Sequence, residues 1–224
     1  MSSPQTRVPA EGRRQQILDV ATELFARQGY NGTTTRQVAL RAAVNEAITF
    51  RHFPTKEELY WAVIERQCSP KPGRLSMEER LGSNDDPAEI LTAIAEDIIT
   101  RDTTLSRLLL FTALEKHELS DRFYRTHVAR YYDLLCEFVR KGIDSGRFRH
   151  DVDPLLAARA LMGMLVYHFQ VQELYGGKRY HQFDAHDVSG TLVKIWLDGM
   201  RAGALLTDAA GPSMDLDHKT YSTD

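Results

Sequence analysis

The sequence predicts an all-α fold. Three observations carry this: apolar residues recur at helical spacing along nearly the whole chain, helix-start signals stand in front of most of those stretches, and no segment alternates as a half-buried strand would. The expected architecture is a small N-terminal three-helix unit, residues 10–56, followed by a larger helical bundle, residues 57–206. The flanks, 1–9 and 207–224, are polar or rich in Ser, Thr, Asp and Gly, which predicts flexible tails.

The first helix is predicted over about Glu11 to Gln28, where Ile17, Ala21, Leu24 and Phe25 form one stripe and Gly29 stands at the left-handed cap position. Asn31-Gly32 continues the turn. Thr34 with Gln37 reads as a capping box opening a helix over Thr35 to Ala42. Asn45 is a good N-cap for the next, which ends at His52 before Pro54. Thr55 with Glu58 reads as a second capping box, starting a helix that runs to Cys68.

Ser69 to Asp85 reads as a linker with one helical turn at Met77 to Leu81. Asp86-Pro87-Ala88-Glu89 is a strong helix start, and Ile90, Leu91, Ile94 and Ile98 follow at helical spacing. Further helices are predicted over Thr104 to Lys116, from a cap at Ser120 to Ser145-Gly146, from Asp153-Pro154 to Tyr175, and over Val188 to Ala202. The last two carry apolar residues on two sides, either because they meet a partner subunit or because they are central in the bundle. The candidates for a partner contact are Met162, Val166, Leu192, Ile195, Trp196 and Gly199.

The chain has 224 residues and a net charge of -3, so it is not a basic glove as a whole. The charge is unevenly spread. From Arg7 to Lys56 eight basic residues stand against four acidic ones, a local +4 that leaves −7 for the remainder. The polar start lacks a signal-peptide pattern, the apolar stretch from Ala160 to Tyr167 is too short for a bilayer, and Cys68 and Cys136 are far apart in sequence. The expectation is a cytoplasmic protein with free thiols and no membrane partner.

Two short helical patterns back to back, the second rich in polar and aromatic side chains, are how a chain puts one helix into the DNA major groove. The stretch from Ile17 to Leu59, ILDVATELFARQGYNGTTTRQVALRAAVNEAITFRHFPTKEEL, resembles the signature of the TetR family of bacterial transcriptional regulators. The matching features are an apolar helix ending in F-x-x-x-G-Y, then T-T, then a helix-turn-helix closing in F-R-H-F-x-T-K-E-E-L. The rest of the chain resembles the family in plan only. Three positions depart from the pattern: Ala43 stands where Gly is usual in the turn, Ala47 where Gly or another small residue is common, and Ile48-Thr49 reverse the usual polar-then-apolar order. Either Ile48 faces DNA, where it could touch a thymine methyl, or the helix is rotated and Thr49 is exposed.

The resemblance implies a regulator, most simply a repressor, that binds a palindromic double-stranded operator as a homodimer and is released by a small, partly apolar effector. It implies DNA contacts by Glu46, Ala47, Ile48, Thr49, Phe50, Arg51 and His52 on the reading helix, by Thr35 and Arg36, and by Lys56 at a helix start that favours phosphate. It also implies an effector pocket, for which Trp61, Phe111, Phe123, Tyr124, Tyr131, Tyr167, His168 and Phe169 are candidates.

No catalytic, cofactor or metal signature competes. His117-Glu118 lacks the second His of a zinc-protease motif because position 121 is Asp, and His181 and His186 beside Asp184 and Asp187 read as a solvated loop. The rival classes are an all-helical small-molecule carrier or enzyme without DNA binding, and a protein-binding adaptor.

Overall fold

A computed structural model describes residues 10–70, 73–115 and 118–203, and the expected tails lie outside them. Among these residues eleven α-helices run in order: α1 (Ala10–Gln28), α2 (Thr35–Arg41), α3 (Glu46–His52), α4 (Lys56–Cys68), α5 (Met77–Leu81), α6 (Pro87–Ile99), α7 (Thr104–Leu114), α8 (Glu118–Phe123), α9 (Ala129–Asp144), α10 (Pro154–Phe169) and α11 (Ala185–Met200). Among the described residues there is no strand, only a lone antiparallel bridge between Phe148 and Arg201. No helix among them is long and apolar enough to cross a membrane.

The caps show why the helices begin where they do. Thr34 and Gln37 form the reciprocal capping box of α2, and the Asn45 side chain accepts from the Ile48 amide (2.8 Å) to open α3. Thr55 accepts from the Glu58 amide (3.1 Å), but the return bond that would complete a second box is not made. Asp86 and Asp153 cap α6 and α10, each with Pro in the first turn. Ser76 and Glu79 form a further capping box at α5, which the sequence pattern did not single out.

Two boundaries differ from expectation. The helix expected to start at Ser120 begins at Glu118 and passes through a π-helical turn, Tyr124–Val128, before continuing as α9. The last helix begins at Ala185, because Asp184 accepts from the His186 and Asp187 amides; of the stretch that read as a solvated loop, His186 and Asp187 lie in its first turn and His181 precedes it. A second π-turn, Gln170–Leu174, extends α10 to Tyr175.

Two apolar cores result. The first gathers Ile17, Phe25, Val38, Phe53, Leu59, Tyr60 and Ile64, and draws in Leu108 from α7. The expected division at 56/57 falls at the start of α4, whose apolar face belongs to this core. The second core lies among α6, α9, α10 and α11. It includes Trp196, only 5% exposed, whose indole N–H donates to the Ala157 carbonyl (2.8 Å) and whose ring meets Phe148 edge-on at 5.7 Å. Trp196 was a candidate for the partner contact; its N–H finds its acceptor inside the subunit, so it is a core residue instead. Gly142 is required beneath Phe148, because a Cβ there would collide with that ring.

The head is joined to the bundle by specific bonds. Arg66 on α4 reaches back to Asp19 (2.7 Å) and Thr22 (2.5 Å) on α1. The Tyr60 hydroxyl donates to the Leu108 carbonyl (2.8 Å) and lies 2.6 Å from the Thr112 hydroxyl. Arg107 donates to the Ala26 carbonyl (2.7 Å), and Glu115 accepts from the Asn31 amide (3.1 Å). Gly29, at φ +75, lies against Glu115 and Phe111, so both its left-handed backbone and its missing Cβ are needed.

Candidate nucleic-acid interface and effector cavity

The α2–α3 corner is built by its turn. Ala43 sits at φ +50, the only non-glycine residue at positive φ among those described. Its amide bonds to the Leu40 carbonyl (3.2 Å), and the Val44 amide to the Ala39 carbonyl (3.0 Å). The turn expected to need Gly thus keeps its geometry and carries the strain of a methyl group.

This geometry decides the Ile48-Thr49 question. Thr49 is 0% exposed, so its expected place among the base readers is corrected: it faces the core. Ile48 is half-exposed, with part of its side chain against the first core. The helix is not rotated; Thr49 occupies an inward position, and its hydroxyl is left there without a hydrogen-bond partner.

Ala47, Phe50 (42% exposed) and Arg51 lie outward on α3, and Arg36 lies outward on α2. His52 is half-buried beside the Phe53 ring. The Thr35 hydroxyl donates to the Glu46 carboxylate (2.7 Å), tying together the first residues of α2 and α3. Lys56 is half-buried, with its ammonium 4.1 Å from the centre of the Tyr30 ring. Burial lowers its pKa and Glu115 pulls it back up. Sequence reasoning missed Tyr30 as a platform for Lys56, although the Gly-Tyr pair of the signature pointed to it. It also missed Arg14, set over the Phe53 ring at 5.1 Å, and Leu40, 80% exposed on α2; neither has a spacing signal that distinguishes it.

A cavity of about 580 Å³ opens between the end of α4, α5, α6, the start of α7, the first π-turn, α9 and α10. Of the candidate effector residues only Tyr131 lines it. His168 and Phe169 line a smaller space of about 490 Å³ near the second π-turn. The others are corrected. Trp61 packs in the first core beneath the Arg122 guanidinium (3.9 Å), Phe123 packs against that core, and Phe111 packs on Gly29. Tyr124 and Tyr167 point outward.

The walls of the larger cavity are more polar than expected. Arg74 and Arg80 both pair with Asp97, and Arg130 pairs with Glu78. Cys68 is held neutral, its thiol pushed up to about 12 by burial, and burial also raises the Tyr131 pKa. Among the described residues no group of three His, Cys, Asp or Glu side chains is arranged to hold a metal ion, and His186 bonds to Glu96 (2.6 Å). His117 lies outside them.

Residues 17–63 match the domain described as bacterial regulatory proteins, tetR family. This segment is a TetR-family domain. Among its relatives, the transcriptional activator FasR of Mycolicibacterium smegmatis is 32% identical over 106 residues, 46% of this chain and 48% of that protein. The chain therefore spans about half the length of FasR in the match. The transcriptional repressor KstR2 of Rhodococcus jostii is 28% identical over 154 residues, 67% of this chain and 74% of that one. In fold, the chain is similar to NalD of Pseudomonas aeruginosa, described as the secondary repressor of a multidrug efflux pump: TM-score 0.67 at 21% identity, covering 87% of this chain and 100% of NalD.

Proposed function

We propose that this protein is a transcriptional repressor, not an enzyme, that holds a two-fold-symmetric operator as a homodimer and releases it when a small molecule fills the 580 Å³ cavity. The observation that carries the reading is the α2–α3 corner inside the tetR-matched segment, with Ala47, Ile48, Phe50 and Arg51 turned outward and Thr49 inward. Arg36, Arg51 and Lys56 then serve the phosphates, and Ala47 and Ile48 suit thymine methyls. Glu46, bonded to Thr35, sets the angle between the two helices as well as offering an acceptor. Work on a chromosome puts the protein in the cytoplasm. The names of KstR2 and NalD favour repression, while FasR is named as an activator.

Dimerisation is supported by an unpartnered face on α10 and α11. Leu156, Ala160, Gly163 and Tyr167 recur at helical spacing and are all exposed, Val166 lies beside them, and Ile195 is 57% exposed on α11 near Gly199. A Cβ added to Gly163 or Gly199 would meet nothing within 4 Å, so another backbone could approach there. Met162 and Leu192 are half-buried at the edge of this face.

Release is supported by shared elements. Cys68 and Glu65 of α4 and Leu105 of α7 line the cavity, and both helices are bonded to α1. Taking a two-state protein from mostly competent to mostly incompetent needs about 5.5 kcal/mol of differential affinity, or roughly 2.7 kcal/mol from each of two sites.

The test is selection of genomic fragments by the purified chain, followed by footprinting. A palindrome with half-sites roughly 34 Å apart, bound by a dimer, is expected. Protection of one asymmetric half-site by a monomer, or no selection above random DNA, overturns the reading.

A further inference from the structure

The polar groups of the larger cavity divide into satisfied and unsatisfied ones. Asp97 is neutralised by two arginines, Glu78 by Arg130, and Asp102 accepts from the Thr104 amide at the start of α7. In the corner between α4, α6 and α9 the bonding is incomplete. The exposed Arg101 side chain has no ion pair or hydrogen bond among the described residues, and it lines the cavity together with Cys68 and Tyr131. The Tyr131 hydroxyl is mostly buried and has no hydrogen-bond partner among them. His127 Nε2 is fully enclosed and unbonded; its nearest charged neighbour is the Glu65 carboxylate at 3.5 Å, beyond a good hydrogen bond.

His127 is also held in place. Its ring lies 5.8 Å from Trp61 and 5.3 Å from Phe123, and it is carried on the π-turn, where the helix leaves its regular register. Inserted π-turns are rare and recur at functional sites. Two groups able to donate line this space: the Arg101 cation and the Tyr131 phenol. Ile94, Ile98, Leu105, Leu134 and Met162 give the same cavity an apolar part.

We propose that this cavity takes an amphipathic monocarboxylate, its carboxylate bound by Arg101 and Tyr131 and its hydrocarbon part laid against the apolar residues of α6, α7 and α10. The assignment rests on reading the cavity as the effector site and names the chemistry of that effector. Arg101 supplies charge and geometry, since a guanidinium matches a carboxylate bidentately. Tyr131 stays a donor because burial keeps it protonated. Cys68, held as a neutral thiol, adds no competing negative charge.

The test uses the full chain and three probes of matched chain length: decanoate, decan-1-ol and decylammonium. Binding is measured by calorimetry, and selected operator DNA is followed in parallel by anisotropy. Decanoate is expected to bind at least about tenfold more tightly than decan-1-ol, with decylammonium weakest. Arg101→Gln is expected to remove that preference while leaving decan-1-ol affinity unchanged, and Tyr131→Phe to reduce it about three- to tenfold. Unchanged thermal midpoints of both variants without ligand show that they fold. Equal binding of decanoate and decan-1-ol, preference for decylammonium, or an Arg101→Gln protein that keeps the decanoate preference overturns the assignment. Decanoate bound through Arg101 with no effect on DNA supports the site and refutes its coupling to the operator. Failure to bind DNA even without probe refutes the proposed function and leaves the carboxylate result standing on its own.

Discussion

Replacing Ala43 with Gly should stabilise the protein, against the usual direction of an alanine-to-glycine change. Ala43 holds φ +50, where an L-residue with a Cβ pays roughly 1–2 kcal/mol. Its methyl group is exposed, so removing it gives up no buried packing. Against this gain stands the larger freedom of glycine in the unfolded chain, about 0.4–1 kcal/mol. The difference leaves a net gain of about 0.5–1 kcal/mol. Urea denaturation followed by far-ultraviolet circular dichroism, with the slope constrained to be common, measures it directly. In a thermal scan the same gain amounts to roughly 1–4 °C for a chain of this size. Ala43→Val is the control: a β-branched residue tolerates positive φ poorly, so it should lose at least about 1 kcal/mol. If the glycine variant is neutral or less stable with its helix content intact, or if valine matches it, the strain assigned to this turn is absent.

Thr49→Val should also stabilise, by about 1 kcal/mol, because it replaces a buried, unbonded hydroxyl with a methyl of the same shape; a loss in chemical denaturation would mean that the hydroxyl is satisfied after all. Lys56→Ala should weaken binding to all DNA sequences about equally and reduce the slope of log affinity against log salt by about one for each phosphate it no longer neutralises, or roughly two per dimer. A salt titration with an unchanged slope would remove Lys56 from the phosphate-binding set. The bond from His186 to Glu96 raises the histidine pKa above 6.5. A raised folded value stabilises fully below the unfolded value and fades as pH rises through the folded one. His186→Gln should therefore lower the thermal midpoint in mildly acidic buffer and leave it unchanged in mildly alkaline buffer, with the reverse pattern counting against the bond.

What the sequence disclosed follows from the range of the forces involved. Caps act over three residues, so Thr34-Gln37, Asn45, Asp86-Pro87 and Asp153-Pro154 are legible directly. The cap at Asp184 is harder to see, because the two histidines and the phenylalanine around it mask the signal. The π-turns are invisible, since no local pattern separates them from α-helix. The reading helix is legible as a segment, but the facing of Ile48 and Thr49 requires the packing of α3 on the first core. The cavity is the least legible feature. Its aromatic candidates stand out for chemistry alone, and most are claimed by the core, because a large ring gains more from burial than from lining a wet space. Arg101 and His127 line the chamber only because α6, α9 and the π-turn converge there, which spacing along the chain cannot reveal.

The helix α7 has one more consequence. Leu105 near its start borders the chamber, and Glu115 just past its end bonds the corner that leads into α2. Ten residues of helix separate them, about 15 Å. A stiff rod of that length needs no relay of side chains: were an occupant of the chamber to push one tip, the other would move with it, with a leverage set by where Tyr60 pins the middle.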